Sequence, residues 1–285
     1  MQQRRFVSLL AAYILGDDDR RAPAVPEGLP TGIESIAVEN VRRLTEYQNA
    51  DYARLYMSRL GRFVHRNGVD APMLEAIARL LGDRMAYDDL IWHAQQVLSG
   101  PGTPAAAGLP AGGVVRPSLR EIAGLLPESV AGSLLGALEV VGWTDVTLEI
   151  VLTGRTRRGR VAAYCLSLLR RLRPMSVRYG EEKALVERWL HMVDRSLTKQ
   201  PEATREVIES AVLLRGHGDG YGRALRNWLL IINKLAKPVF DGDIVVPGLS
   251  ADLARLRQIA ATDRTGDAIR LEIAVIRERA ARAAS

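Results

Sequence analysis

Val212-Leu213-Leu214-Arg215-Gly216-His217-Gly218-Asp219-Gly220-Tyr221-Gly222-Arg223 decides how this chain is read. An apolar run of helical character ends in glycines at alternate positions, and a second apolar run, Ala224 to Ala236, follows at once. Because a helix and not a strand precedes the glycines, and Tyr221 and Arg223 stand where a third glycine would fall, this is no dinucleotide-binding fingerprint. It predicts instead a turn between two helices in a mainly α protein. Such a turn before a helix N-terminus can hold an anion on backbone N–H groups, with Arg215, His217, Arg223 and Arg226 around it and Gly216, Gly218, Asp219 and Gly220 within it. The other reading is a tight connection in which Asp219 bonds its own backbone.

Outward from that turn the same pattern recurs. Ile33, Ala37, Val41 and Leu44, then Tyr52, Leu55, Tyr56, Leu60 and Phe63, step at helical spacing with an interruption near Asn49. Asp70-Ala71-Pro72 opens a helix carrying Leu74, Ile77, Ala78 and Leu81. Tyr87, Leu90, Ile91, Ala94 and Leu98 mark the next, and its His93 has no second ligand at helical spacing. Ser118-Leu119-Arg120-Glu121 is a capping box, and Gly142 a helix stop. Further helices are expected over Val161 to Leu172, Glu181 to Leu197 and Ala224 to Ala236, the last ended by Pro238, and in a final one through Ile269, Ile273, Ile276 and Ala280. Val146 to Leu152 alternates and is expected to be a strand, paired with Asp243 to Val246. The fold class is therefore mainly α, an irregular multi-helix bundle with at most a small two-stranded β element.

The organisation expected is a docking helix with a proline-rich linker over residues 1–32, a helical part over 33–98, a Gly/Pro-rich loop over 99–117, and a main helical part over 118–285. Arg4-Arg5 before an apolar stretch looks like a secretory signal, but Asp17 to Asp19 follow it directly, which favours a docking helix. No run reaches the ~18 apolar residues of a membrane span.

Hydrophobic residues make up 47% and charged residues 25%, the balance of a globular chain. The single cysteine, Cys165, excludes an internal disulfide, a zinc cage or an iron–sulfur cluster held by this chain. It lies in an apolar run, so burial is expected, and a reducing cytoplasmic setting fits. Net charge is +6. Between Glu149 and Glu181 there is no acidic residue, while Arg155, Arg157, Arg158, Arg160, Arg170, Arg171, Arg173 and Arg178 all fall there. Arginine favours bidentate contact with carboxylate or phosphate, which makes this run a candidate anion or partner site. Both basic sets lie at helix ends, and one basic surface containing both is expected, with Asp219 pairing an arginine. No metal spacing and no nucleophile motif occurs. Gly218-Asp219-Gly220 opens like a thiamine diphosphate motif, but Asn227 and Asn233 come too early to complete it. Catalysis by this chain alone is not expected.

Five blocks in order carry a family resemblance. They are Val41-Arg42-Arg43-Leu44-Thr45-Glu46-Tyr47-Gln48 with Tyr52-Ala53 and Leu55-Tyr56; Arg84-Met85-Ala86-Tyr87-Asp88-Asp89-Leu90-Ile91; Ile122 to Pro127; Gly154-Arg155 and Arg157 with Arg170-Arg171 and Ser176-Val177-Arg178-Tyr179; and Leu214 to Asp219 with Arg223 and Asn227. Together they resemble the C-terminal helical region of large (or beta) indolepyruvate ferredoxin oxidoreductase chains. The resemblance implies a 2-oxoacid oxidoreductase complex using thiamine diphosphate, iron–sulfur clusters and ferredoxin, with those cofactors on partner subunits and none in this chain. The function expected is a non-catalytic accessory or scaffolding subunit that binds the catalytic subunits or an acidic electron carrier. The alternatives are a nucleic-acid-binding helical protein and a phosphate- or coenzyme A-binding helical module.

Overall fold

The computed structural model describes residues 21–25, 29–99, 113–214 and 218–284. Most of the expected docking helix, the greater part of the Gly/Pro-rich loop and residues 215–217 therefore lie outside the described residues. The fold is mainly α. In chain order the helices are α1 (Thr31–Tyr47), α2 (Ala50–Gly61), α3 (Ala71–Met85), α4 (Leu90–Ser99), α5 (Leu119–Gly124), α6 (Glu128–Val141), α7 (Arg157–Leu168), α8 (Val177–Lys199), α9 (Thr204–Glu209), α10 (Gly218–Ile231), α11 (Lys237–Asp241), α12 (Leu249–Thr262) and α13 (Asp267–Ala284).

Local signals explain most of the helix ends. Asp70 caps α3 by accepting from Met73 N at 2.7 Å, with proline in the first turn where its missing N–H costs nothing. Ser118 and Glu121 close the capping box of α5 from both sides. Gly142 ends α6 at φ 73°, a left-handed position that glycine occupies without strain.

The expected strand pairing is corrected. The described sheet has two strands, β1 (Val114–Val115) and β2 (Ile150–Val151), antiparallel with Val114 opposite Val151. Asp243 to Val246 forms no strand; Gly242 at φ 86° caps α11 and turns the chain directly toward α12. Pro238 does not stop the preceding helix as expected. A π turn, Ile232–Ala236, widens the ladder ahead of it, and the chain stays helical to Asp241.

Two compact units divide the chain. One holds Arg43–Ala53 and Asp88–Lys183; the other holds Pro23–Arg42, Arg54–Tyr87 and Ala184–Ser285. In the first, Leu90, Ala94, Val115, Leu152 and Ala163 form an apolar cluster between α4, α7 and the sheet. Beside it, fully buried Arg173 forks onto Asp89, Nε to Oδ2 at 2.8 Å and Nη2 to Oδ1 at 2.9 Å. Its Nη1 donates to Tyr47 O at 2.6 Å, and the guanidinium lies 3.9 Å from the Tyr47 ring centroid. Asp89 also caps α4 by accepting from Trp92 N at 2.6 Å. One carboxylate thus starts a helix and neutralises a buried cation, the condition under which such a cation is tolerated.

The second unit packs Trp189, Trp228, Phe240, Ile269, Ile273 and Ile276, all buried, from α8, α10, α11 and α13. Asn40 Nδ2 donates to Tyr56 Oη at 3.2 Å and to Ala78 O at 3.0 Å. It lies so close to α3 that any side chain on Gly82 would overlap its amide. Buried Asn227 donates to Asp263 O at 3.0 Å, and the Asp263 carboxylate accepts from Gly266 N and Ile269 N to start α13.

Candidate anion and partner-binding site

The arginine run of 155–178 divides by burial. Arg170 and Arg173 are core residues of the first unit, and Arg178 pairs with buried Glu182 at 2.9 Å. Arg155, Arg157, Arg158 and Arg160 are exposed, and among the described residues none of the four pairs with an acid.

Their position is fixed from behind. Thr156 is the N-cap of α7, its hydroxyl accepting from Gly159 N at 3.1 Å. Gly159 is buried against Thr153; a Cβ there would fall 2.5 Å from Thr153 O and 2.7 Å from Thr153 Cγ2. Thr153 Oγ1 in turn accepts from Arg155 N at 3.2 Å. One turn on, Ala163 packs into the apolar cluster, so Gly159 and Ala163 form the inward face of α7. Arg157, Arg158, Arg160, Val161 and Tyr164 point outward. The apolar spacing of the sequence begins this helix at Val161. The helix instead begins at Arg157, because Thr156 and the close glycine contact nucleate it four residues earlier.

The electrostatics of this start are adverse. A helix N-terminus carries roughly half a positive charge, and a cation in its first turn costs about 0.3–1 kcal/mol. Three guanidinium groups occupy the first turn of α7 and a fourth lies two residues ahead of it, with no acid in compensation. An acidic group or phosphate placed here would relieve repulsion and gain bidentate hydrogen bonds together.

The second expected basic set belongs to the other unit. Gly218, Gly220, Tyr221 and Gly222 are helical, so α10 starts six residues before the expected Ala224, and Asp219 sits inside its first turn. The backbone therefore differs from the expected glycine loop. Arg223 is half-buried and Arg226 exposed, and no acid among the described residues pairs with either. Arg215, Gly216 and His217, and the side chain of Asp219, lie outside the described residues. The expected pairing of Asp219 with an arginine falls there too.

Sequence reasoning missed Arg84. It is buried, donates Nη1 to Leu214 O, and lies 6.0 Å from the ring centroid of Tyr221, clamping both sides of the glycine segment. Its place in a resemblance block beside Tyr87 and Asp89 was the signal available. His93, which has no second ligand at helical spacing, is buried, with Nε2 at 3.0 Å from Asp88 Oδ1. Cys165 is exposed, not buried, because it falls on the outward side of α7 next to Tyr164.

Among the described residues no three His, Cys, Asp or Glu side chains are grouped to hold a metal ion, and no helix is long and apolar enough to cross a membrane. No curated protein and no solved structure matches the chain. One family model does match, over residues 33–234, from α1 through the arginine-bearing start of α7 to the π turn after α10. The chain belongs to that family, DUF6537, a family of unknown function.

Proposed function

We propose that this chain is a non-catalytic accessory subunit that docks an acidic protein surface onto Arg155, Arg157, Arg158 and Arg160. The observation that carries this reading is the acid-free arginine group, held on a helix start clamped by Thr153, Thr156 and Gly159 despite its electrostatic cost. The clamped helix start holds the four arginines in one backbone arrangement, and the planar guanidinium loses little freedom per hydrogen bond on meeting carboxylates, which favours specific docking over diffuse attraction. The ordered sequence blocks support placement in a cytoplasmic, indolepyruvate-type 2-oxoacid ferredoxin oxidoreductase complex, where the partner is a catalytic subunit or the acidic electron carrier. In that setting thiamine diphosphate and iron–sulfur clusters reside on the partners. An iron–sulfur cluster needs several thiolates and this chain has one cysteine, so its residues do not fit such a group.

The test is calorimetric titration with a purified acidic ferredoxin and with the catalytic subunits, at low and moderate salt. Binding that weakens with salt and falls at least ~10-fold in Arg157→Glu/Arg158→Glu supports the docking role. Affinity capture from native extract that retains no 2-oxoacid oxidoreductase subunit overturns the complex assignment.

A second reading, single-stranded nucleic acid, is favoured by one feature. Tyr164 is exposed one turn after Arg160, a ring for base stacking beside a basic strip. Binding of a generic oligonucleotide that depends on Tyr164, with no binding of acidic protein, would select it.

A further inference from the structure

Helix α7 packs by one side only. Its inward face, Gly159, Ala162, Ala163 and Leu166, meets Thr153 and the apolar cluster of the first unit. At about 100° per residue the opposite face carries Arg157, Val161, Tyr164 and Leu168 in line, with Arg160 and Cys165 beside it. Val161 is 62% exposed, Tyr164 is 56% exposed and Leu168 is half-buried. A surface helix ordinarily turns polar residues outward, yet α7 carries no charge from Val161 to its end at Leu168. The outward face is thus cationic over its first turn and apolar over the rest. It suits an amphipathic segment with acids at one end.

We infer that residues 6–19 of this same chain, which lie outside the described residues, dock along this face with their aspartates against the arginines. Charge selects them. Phe6 to Leu15 carries no charge, and Asp17-Asp18-Asp19 just after it is the one run of three acids in the chain. Spacing agrees. From Arg157, steps of four, three and four reach Val161, Tyr164 and Leu168, and backward from Asp17 the same steps reach Tyr13, Leu10 and Phe6. At helical rise each set spans about 16 Å. Laid antiparallel, Asp17 falls opposite Arg157, Tyr13 opposite Val161, Leu10 opposite Tyr164 and Phe6 opposite Leu168. A parallel arrangement would instead bring Arg4-Arg5 toward the arginine group, a like-charge contact.

The point of attachment fits as well. The chain enters the described residues at Arg21, and Arg21 and Ala22 belong to the first unit, the unit that carries α7. A segment tethered to the unit it docks on meets its face at high effective concentration, so surface ion pairs that are weak singly suffice. The inference rests on the reading of the arginine group as an acid-binding face and adds its regulation. The chain's own aspartates and an acidic partner compete for the same guanidinium groups, so the docking face is closed until a partner displaces residues 6–19.

Cys165, the one cysteine and exposed on this face, reports the docking. A nitroxide attached to it in the full chain is expected to broaden the backbone amide resonances of residues 6–15. Asp17→Arg/Asp18→Arg/Asp19→Arg should cut that broadening at least ~5-fold with an unchanged helical spectrum, and adding Arg157→Asp/Arg158→Asp/Arg160→Asp should restore it. Resonances that stay sharp in the wild type overturn the inference, as does broadening that ignores the aspartate reversal. Broadening in a mixture of isotope-labelled chains without nitroxide and unlabelled chains bearing it overturns it too, by making a second copy the occupant. Calorimetric titration with the acidic ferredoxin reads the partner separately. Asp17→Asn/Asp18→Asn/Asp19→Asn should tighten ferredoxin at least ~3-fold, because the face is then open in more of the molecules. Equal affinity with and without the aspartates overturns the competition. Ferredoxin that binds neither form overturns the partner reading alone, and the broadening still decides whether residues 6–19 dock on α7.

Discussion

Replacing Arg173 with methionine should be among the most damaging single changes in the first unit. The substitution removes a fork of two charge-assisted hydrogen bonds to Asp89, a bond to Tyr47 O, and contacts to Gln48 Oε1 at 3.2 Å and Gln95 Oε1 at 3.3 Å. Methionine fills much of the volume and keeps a sulfur against the Tyr47 ring, offsetting about 0.3–1.5 kcal/mol. What it leaves is the Asp89 carboxylate, 4% exposed, with Trp92 N at 2.6 Å and Tyr47 Oη at 3.5 Å for company. Stranding one member of a buried ion pair costs about 3–5 kcal/mol, a large part of the ~5–15 kcal/mol that holds a domain together. Urea unfolding followed by far-ultraviolet circular dichroism, with hydrogen exchange over residues 88–99 to localise the loss, measures it. A second arm isolates the cause: Asp89→Leu added to Arg173→Met should recover part of the loss by removing the stranded charge. The recovery stays incomplete because the α4 cap, worth about 1 kcal/mol, goes with it. A cost below about 1 kcal/mol for Arg173→Met would refute the reasoning. So would an Asp89→Leu cost as large in the variant as in the wild type.

Four other outcomes follow from the same geometry. Arg157→Glu should raise stability by about 0.5 kcal/mol, because an anion suits the first turn of α7, while weakening acidic binding; chemical denaturation and calorimetry on one preparation check both. Gly159→Ala should destabilise by about 1–3 kcal/mol although alanine is the better helix former, since its methyl meets Thr153; a rise in melting temperature would contradict the close contact. Asn227→Ala should cost about 1–3 kcal/mol by leaving the Asp263 and Ala260 carbonyls without their buried donor, visible as faster exchange at the start of α13. Burial pushes the Asp263 carboxyl up, but the N–H groups of Ile269, Gly266 and Thr265 outweigh it and hold it below its ordinary value of 3.8. Its stabilisation is therefore fully present above that value and is lost as pH falls through the lower folded value. Asp263→Asn should flatten that part of the acid limb of a stability–pH profile.

The helices were legible wherever one face is buried and a local residue marks the end. The periodic sets Ile33-Ala37-Val41-Leu44 and Ile269-Ile273-Ile276-Ala280 are buried throughout, and the caps at Asp70 and Ser118 form as spacing required. Long-range partners were not legible. Arg173 looks like Arg158 in sequence, and what separates them is Asp89, 84 positions away. The strand Val114–Val115 is too short to show alternation, so β2 was assigned the wrong partner. Periodicity in α7 identified an apolar run but not its inward side. That side is set by Gly159 and Ala163, and Cys165 consequently faces out.

The interleaving of the two units governs the order in which the chain can assemble during synthesis. Every described residue of the first unit lies at or before Lys183, whereas the second needs Ala184 onward to join segments made near the beginning. Translation runs at roughly 5–20 residues per second. The Arg173–Asp89 pair can therefore close while the last hundred or so residues, with Trp189, Trp228 and Phe240, are still unmade. Through that interval Arg59 waits for Glu187 and Arg84 for the Leu214 carbonyl, which makes α2 and α3 the natural clients of a nascent-chain chaperone.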